Sequence, residues 1–201
     1  MNIVQLTLSH FRAFDALTIF PRGHAVAMGT PGTGRSAVIE GLARVLDPDL
    51  PRRRTAEEFD FHHADTSRPA EIHVTIADLG DELQQHFFDQ LEVWDAEQGL
   101  IQESELASQI DGEARHFALR LAYRAEWIAA EERIEEFVYY PKTSDPPNGL
   151  FDRVRITDIE LIGFVRIAPG RGRALSLRER SAFRRLTERA AGDDFGAAVE
   201  K

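Results

Sequence analysis

A chain of 201 residues, 43% of them hydrophobic, is long enough to bury one core with room for an appendage. It holds no cysteine, which excludes disulfide staples, thiolate metal sites and a cysteine nucleophile; no apolar run of about 18 residues and no basic leader ahead of an apolar stretch is present, so a cytoplasmic location with no membrane partner is expected. The net charge of −10 argues against a uniformly basic nucleic-acid binder, although acid gathers between Asp78 and Glu136 and arginine gathers after Arg153.

Asn2 to Leu8 alternates polar and apolar residues like a half-buried strand, and Leu17 to Phe20 gives a second after a short turn at Phe14 to Ala16. The apolar run Ala25 to Met28 reads as a third, buried strand. Next come Gly29, Thr30, Pro31, Gly32, Thr33, Gly34, Arg35 and Ser36, which match the phosphate-loop pattern GxxxxGK[ST] except that Arg35 stands in the lysine position. Glycines at 29, 32 and 34 permit left-handed backbone and let main-chain N–H groups turn toward an anion. A helix from Ser36 to Leu46, with Val38, Leu42, Val45 and Leu46 as its apolar positions, adds its positive end to the same spot, and Asp47-Pro48 stops it. Residues 29 to 37, Ala37 included, are therefore expected to hold the phosphates of a nucleotide, with the Ser36 hydroxyl as the Mg²⁺ ligand.

Arg35 keeps the charge of the usual lysine but changes its geometry, since a guanidinium is a planar fork on a longer stem. Only Lys142 and Lys201 among the 24 basic residues are lysine, so arginine at position 35 also fits a bias of the whole chain. The plainer alternative, a glycine-rich strand-to-helix turn, leaves Ser36 and the strand-loop-helix order to chance.

Residues 51 to 69 are polar and irregular, with Arg52, Arg53 and Arg54 ahead of Phe59-Asp60-Phe61-His62-His63-Ala64-Asp65. His62, His63 and Asp65 carry metal-ligand chemistry, but neighbouring histidines on extended chain point to opposite sides and no second cluster completes a shell, so a solvated loop is the better reading. Ile72 to Ile76 reads as a strand, and a helix is expected from about Asp81 to Trp94 with Leu83, Phe87, Phe88 and Leu91 on its buried face. Gln98 to Ile110 gives no assignment. Phe117 to Trp127 and Arg133 to Tyr140 alternate strongly, with Glu131-Glu132 between them, and predict a long antiparallel hairpin whose Glu131, Glu132, Glu135 and Glu136 lie on its surface. Lys142 to Gly149 is a loop, Ile159 to Ile167 a central strand, and Pro169 to Arg173 a turn into a basic helix at about Leu177 to Ala191. The arginines from Arg171 to Arg189 suit either nucleic-acid phosphates or a solvated helix face interleaved with Glu179 and Glu188, the latter being favoured. Three segments follow: a phosphate-loop core at 1–69, an antiparallel subdomain at 70–150, and a return strand with a basic helix at 151–201.

The order Ile3 to Leu8, His10-Phe11-Arg12-Ala13-Phe14, Leu17-Thr18-Ile19, Gly29 to Ser36 and Val38-Ile39-Glu40-Gly41-Leu42 resembles the ABC-type ATPase head of RecF, Rad50 and SMC-like proteins. Within that group, Ala70 to Leu79, the Trp94 segment, the hairpin and Leu177-Arg178-x-Arg180-Ser181-x-x-x-x-Leu186 look most like OLD-family ATP-dependent endonucleases. The resemblance implies an α/β P-loop NTPase, an ABC-type head lobe with an antiparallel β subdomain, using ATP and Mg²⁺. It also implies ATP-driven head-to-head homodimerisation and, in full OLD proteins, a C-terminal Toprim domain that cuts DNA. Arg12 either reaches the nucleotide, as the arginine of this motif does in that group, or is a surface charge at a strand end.

Departures from the pattern are equally plain. No apolar strand ending in paired Asp-Glu follows the hairpin, and neither an LSGG-like stretch nor Toprim acidic clusters occur; Val74 to Asp78 only imitates a Walker B strand, because Leu79-Gly80 follows. The lobe is therefore expected to be incomplete, either a piece of a longer protein missing its C-terminal half or a short relative that borrows the rest, with DNA reached through the larger assembly. Hydrolysis by this chain alone stays open, and the alternative is a non-catalytic, nucleotide-dependent interaction module.

Overall fold

The computed structural model describes residues 1–49, 55–102 and 115–167. The chain divides into units 1–162 and 163–201, of which only 163–167 is described in the second. Arg52 to Arg54, most of Gln98 to Ile110, and the expected turn and basic helix after Pro169 lie outside the described residues.

Among the described residues, seven strands form one antiparallel sheet: β1 (Asn2–Phe11), β2 (Phe14–Ile19), β3 (Ala70–Ala77), β4 (Leu91–Asp95), β5 (Leu100–Gln102), β6 (Arg115–Ile128) and β7 (Arg133–Tyr139). Their order is β2-β1-β3-β6-β4-β5, with β7 paired to the far half of β6. Helices α1 (Arg35–Leu46), α2 (Asp81–His86) and α3 (Ile156–Ile162) complete a mixed α/β architecture. None of them is long and apolar enough to cross a membrane. Because β3 pairs with β1 from Asn2↔Ala77 to Ser9↔Glu71, segments 1–69 and 70–150 share the sheet.

Period-two patterning builds the interior. Leu6 and Leu8 of β1 and Ala70, Ile72 and Val74 of β3 are almost fully buried, as alternation on a half-covered sheet requires. Over this face lies α1, brought close by Gly41: a Cβ there would stand 2.7 Å from Leu8 Cδ2 and 3.7 Å from Ile72 Cδ1. The expected hairpin forms, with Tyr123 opposite Val138 and Trp127 opposite Ile134. The first turn is tighter than expected, since Phe14 to Ala16 belongs to β2 and only Arg12 and Ala13 turn the chain.

Three expected elements differ. Ala25 to Met28 is not a strand, and Val26 and Met28 are 84% and 86% exposed; no described strand lies beside the run, and without a ladder partner an apolar tetrapeptide has no reason to stay extended and buried. The helix from Asp81 stops at His86, a short turn at Phe88–Gln90 follows, and Trp94 sits on β4 with Phe88 turned to solvent. Tertiary pairing overrides the helical spacing here, because β6 supplies ladder partners from Leu91↔Leu119 to Asp95↔Arg115 and Arg120 neutralises buried Glu92 at 2.7 and 3.0 Å.

Ile159 to Ile167, expected as a strand, instead contains the end of α3, closed by Gly163 at φ 70°. Ile159 and Ile162 are buried three residues apart, a helical rather than a strand spacing. Asp158 pins this helix, receiving His86 Nε2 at 2.9 Å and the Tyr140 hydroxyl at 3.1 Å, with Arg155 at 3.8 Å. Burial pushes the Asp158 carboxyl up, but these donors outweigh it and hold the group below its ordinary value. A lowered folded-state value stabilises the fold above the unfolded carboxylate value of about 3.9 and the contribution disappears as pH falls through the folded value. In urea titrations between pH 6 and 2.5, Asp158→Asn is therefore expected to flatten the acid limb of stability below about pH 4; an unchanged limb would refute this assignment.

Candidate functional site

Residues 29–37 run along the surface from the unpaired segment into α1. Gly32 and Gly34 both have φ 86°, where a side chain would be strained. Gly29 is not left-handed; its lack of a side chain matters because a Cβ would stand 2.6 Å from Thr33 Oγ1. The Thr33 hydroxyl donates to the Thr30 carbonyl at 2.9 Å and closes the loop on itself, while Pro31 is exposed.

Gly34 is the N-cap of α1 and seats the loop on the rest of the fold. A Cβ at this position would meet Phe14 Cζ at 2.4 Å and Ala13 Cβ at 3.2 Å, so the β1–β2 turn packs directly against the helix entrance. The first helical bond runs from Val38 N–H to the Gly34 carbonyl at 3.1 Å, which places the N–H groups of Arg35, Ser36 and Ala37 ahead of any intrahelical acceptor. Arg35 and Ser36 are exposed, Ala37 is buried, and the first turn of α1 contains no acidic residue. Main-chain donors and the positive end of a 12-residue helix meet here with no acidic residue in the first turn, an arrangement suited to an anion.

Arg12 stands in the adjoining turn, but its surroundings are far more elaborate than those of a surface charge. Its Nε and Nη2 donate to Asp60 Oδ1 at 2.8 and 2.7 Å, and Glu40 of α1 lies 3.7 Å from Nη2. Asp60 also accepts from Arg44 Nη2 at 2.8 Å and from the Glu57 N–H at 3.2 Å. Arg44 in turn donates to Glu136 at 2.9 Å, and Glu136 accepts the Tyr123 hydroxyl at 2.7 Å and the Ala56 N–H at 3.0 Å. One charge network thus links α1, the 57–65 segment, the β1–β2 turn and the β6–β7 hairpin. Burial pushes the Tyr123 hydroxyl far above its ordinary value, Glu136 adding to the effect and Arg44 opposing it, so that it remains a donor.

This network departs from the expected surface carboxylates, because Glu136 is engaged in it rather than solvated. The buried residues of α1 are Ala37, Glu40, Gly41, Ala43, Arg44, Val45 and Leu46; of the expected apolar positions Val45 and Leu46 are buried, whereas Val38 and Leu42 are only half-buried. Small residues at 37 and 41 were the signal for that face, since they permit close approach and carry Glu40 and Arg44, four residues apart, inward with them. The histidines also depart from expectation: His63 and Ala64 are left-handed, so the His62 and His63 rings lie side by side, 4.0 Å between centroids, instead of facing apart. His62 Nδ1 donates to the Arg12 carbonyl at 2.9 Å. Asp78, at the end of β3, accepts from Asn2 Nδ2 at 2.8 Å.

No protein-family model matches the chain, and no curated protein does. The chain is similar in structure to a solved chain described as "Structural biochemistry of ATP-driven dimerization and DNA stimulated activation of SMC ATPases", with a TM-score of 0.45 and 15% identity over 92% of this chain and 96% of that one.

Proposed function

We propose that this chain is the ATP-binding lobe of an ABC-type ATPase head. The supporting observation is the conjunction at residues 29–37: two left-handed glycines, a self-closed loop, and the carboxylate-free start of α1, all seated on the β1–β2 turn through Gly34. Gly29 to Ala37 would hold the phosphates, Arg35 would supply charge, and the exposed Ser36 hydroxyl suits a hard cation such as Mg²⁺. Bound Mg²⁺ would neutralise phosphate charge. The chain's own contribution is to orient the phosphates with main-chain N–H groups and to bring the Arg12 turn against the loop. A second head in a head-to-head homodimer, or a C-terminal half, would complete the site, and the OLD-like order of motifs supports a link to DNA cleavage, repair or phage defence through that assembly.

A non-catalytic interaction module that orders a head interface when nucleotide binds is the second reading. Arg35 favours it, because a fork on a longer stem does not reproduce the point charge between the transferring and leaving phosphates.

Thermal unfolding with and without Mg-ATP tests the phosphate site. At 100 times the dissociation constant the ligand should add about 2.7 kcal/mol to the native state. The rise in Tm should disappear in Ser36→Ala; no rise in the parent chain at millimolar Mg-ATP removes the nucleotide reading. Turnover by Arg35→Lys then separates the two readings, since activity gained by the lysine variant supports an ATPase scaffold and continued silence supports the module.

A further inference from the structure

We infer that a hollow at the opposite end of β1 from residues 29–37 binds a free α-amino acid with a large apolar side chain. Arg22 takes its carboxylate, Glu97 its ammonium, and Phe20 and Trp94 its side chain. The hollow measures ≈ 440 Å³, within the range of small-molecule sites, and Asn2, Phe20, Arg22, Asp78, Trp94 and Glu97 line it. Asn2 begins β1, whereas a Cβ at Gly34 would meet Ala13 and Phe14 beyond the other end, so ten strand residues, roughly 30 Å of chain, separate the two places.

The apolar floor rests on the sheet. Trp94 is 5% exposed and packs with Ala77 and Ala118. The Phe20 ring lies against it, 6.4 Å between centroids and 32° between planes, yet half of Phe20 stays open to solvent. The turn that carries Glu97 is drawn tight by Asp95, whose Oδ1 accepts the Glu97 and Gln98 N–H groups at 2.9 and 2.8 Å and whose carbonyl accepts the Gly99 N–H at 2.8 Å.

Charge selects the ligand. Asp78 is already engaged, its Oδ2 accepting Asn2 Nδ2 at 2.8 Å and its Oδ1 lying 3.7 Å from His116 Nδ1. Arg22 and Glu97 differ: both are exposed, and their side chains pair neither with each other nor with another group among the described residues. Two opposite charges that line one hollow without meeting leave room for a molecule carrying both signs. An organic cation would satisfy Glu97 and face Arg22, while a nucleotide phosphate would satisfy Arg22 and face Glu97 and Asp78. A zwitterion satisfies both through charge-assisted hydrogen bonds, and an apolar side chain adds burial against the two rings.

The two tryptophans of the chain supply the readout. Trp127 lies toward the end of the β6–β7 hairpin, so Trp127→Phe leaves Trp94 as the reporter. This full-length variant is titrated with L-phenylalanine, with phenethylamine, which lacks the carboxylate, and with hydrocinnamate, which lacks the ammonium. L-phenylalanine should change Trp94 emission saturably, and each analogue should bind about tenfold more weakly. Adding Arg22→Gln should abolish the preference for L-phenylalanine over phenethylamine, and adding Glu97→Gln the preference over hydrocinnamate; both side chains are exposed, so neither change endangers folding. The inference is overturned by an unsaturable or absent response to L-phenylalanine, by equal binding of all three compounds, which would mean an apolar hollow only, or by a preference that survives its own glutamine substitution. Tighter binding of AMP than of L-phenylalanine in the same titration would overturn it as well. Each of these outcomes leaves the phosphate-site reading at residues 29–37 untouched.

Discussion

Arg44→Ala is expected to lower the stability of the fold by about 3 kcal/mol, the low end of the range for breaking a buried ion pair. The Arg44 side chain is 2% exposed and bridges Asp60 and Glu136, so its removal leaves two carboxylates short of a donor inside the protein. Asp60 retains Arg12 and Glu136 retains the Tyr123 hydroxyl, which is why the loss sits at the low end. Burial makes the difference: an exposed pair such as Arg153 with Glu135 contributes about 0–1 kcal/mol, because water replaces whichever partner is lost. Urea unfolding should show a lower midpoint with an unchanged slope. A change under about 1 kcal/mol would mean that water reaches Asp60 once Arg44 is gone, and the network would then be less enclosed than its geometry indicates.

Leu8→Ala should cost a comparable amount, about 3 kcal/mol, since the side chain is completely buried and its methyl occupies the space opposite Gly41. The surrounding backbone cannot collapse into the gap, because β1 is held by ladders to both β2 and β3. Gly41→Ala gives the sharper result through a reversal of sign. In the parent chain the added Cβ would stand 2.7 Å from Leu8 Cδ2, so the leucine must shift and overpacking offsets the better helix propensity of alanine. In the Leu8→Ala background the same methyl fills part of the cavity, and the change should become stabilising. Equal effects of Gly41→Ala in both backgrounds would show that the two positions are uncoupled.

How much of this was legible in the sequence depended on the range of the interaction that decided each element. Local patterns were read well: the alternation of β1, β3, β6 and β7, and the stop of α1 at Asp47 beside Pro48, all follow from period and backbone chemistry that neighbouring residues carry. The backbone of the glycine-rich loop was local too, left-handed Gly32 and Gly34 falling where the spacing puts them, although Gly29 is not left-handed. Failures came where a distant partner decided. Leu91 to Asp95 has helical spacing to the residues before it and became a strand because β6 was available, while Ala25 to Met28 has strand composition but pairs with no strand among the described residues. The burial of Arg44 depends on Asp60 and Glu136, which are 16 and 92 residues away in the chain, a relation that no window along the sequence contains.

The unpaired apolar segment at Val26 and Met28 has a colloidal consequence. Charge of one sign keeps copies of the chain apart, and at pH 7 the formal value is −10. As the solution is acidified toward the isoelectric point of ≈ 5.2 that repulsion vanishes, while two thioether- and isopropyl-bearing side chains stay exposed in a stretch with no proline and no lysine to interrupt contact. Turbidity should therefore begin near pH 5, in a chain whose secondary structure is still intact. Handling this protein calls for buffers well on the alkaline side of neutrality, and its light scattering against pH will report its exposed apolar side chains, Val26 and Met28 foremost, more directly than its fold.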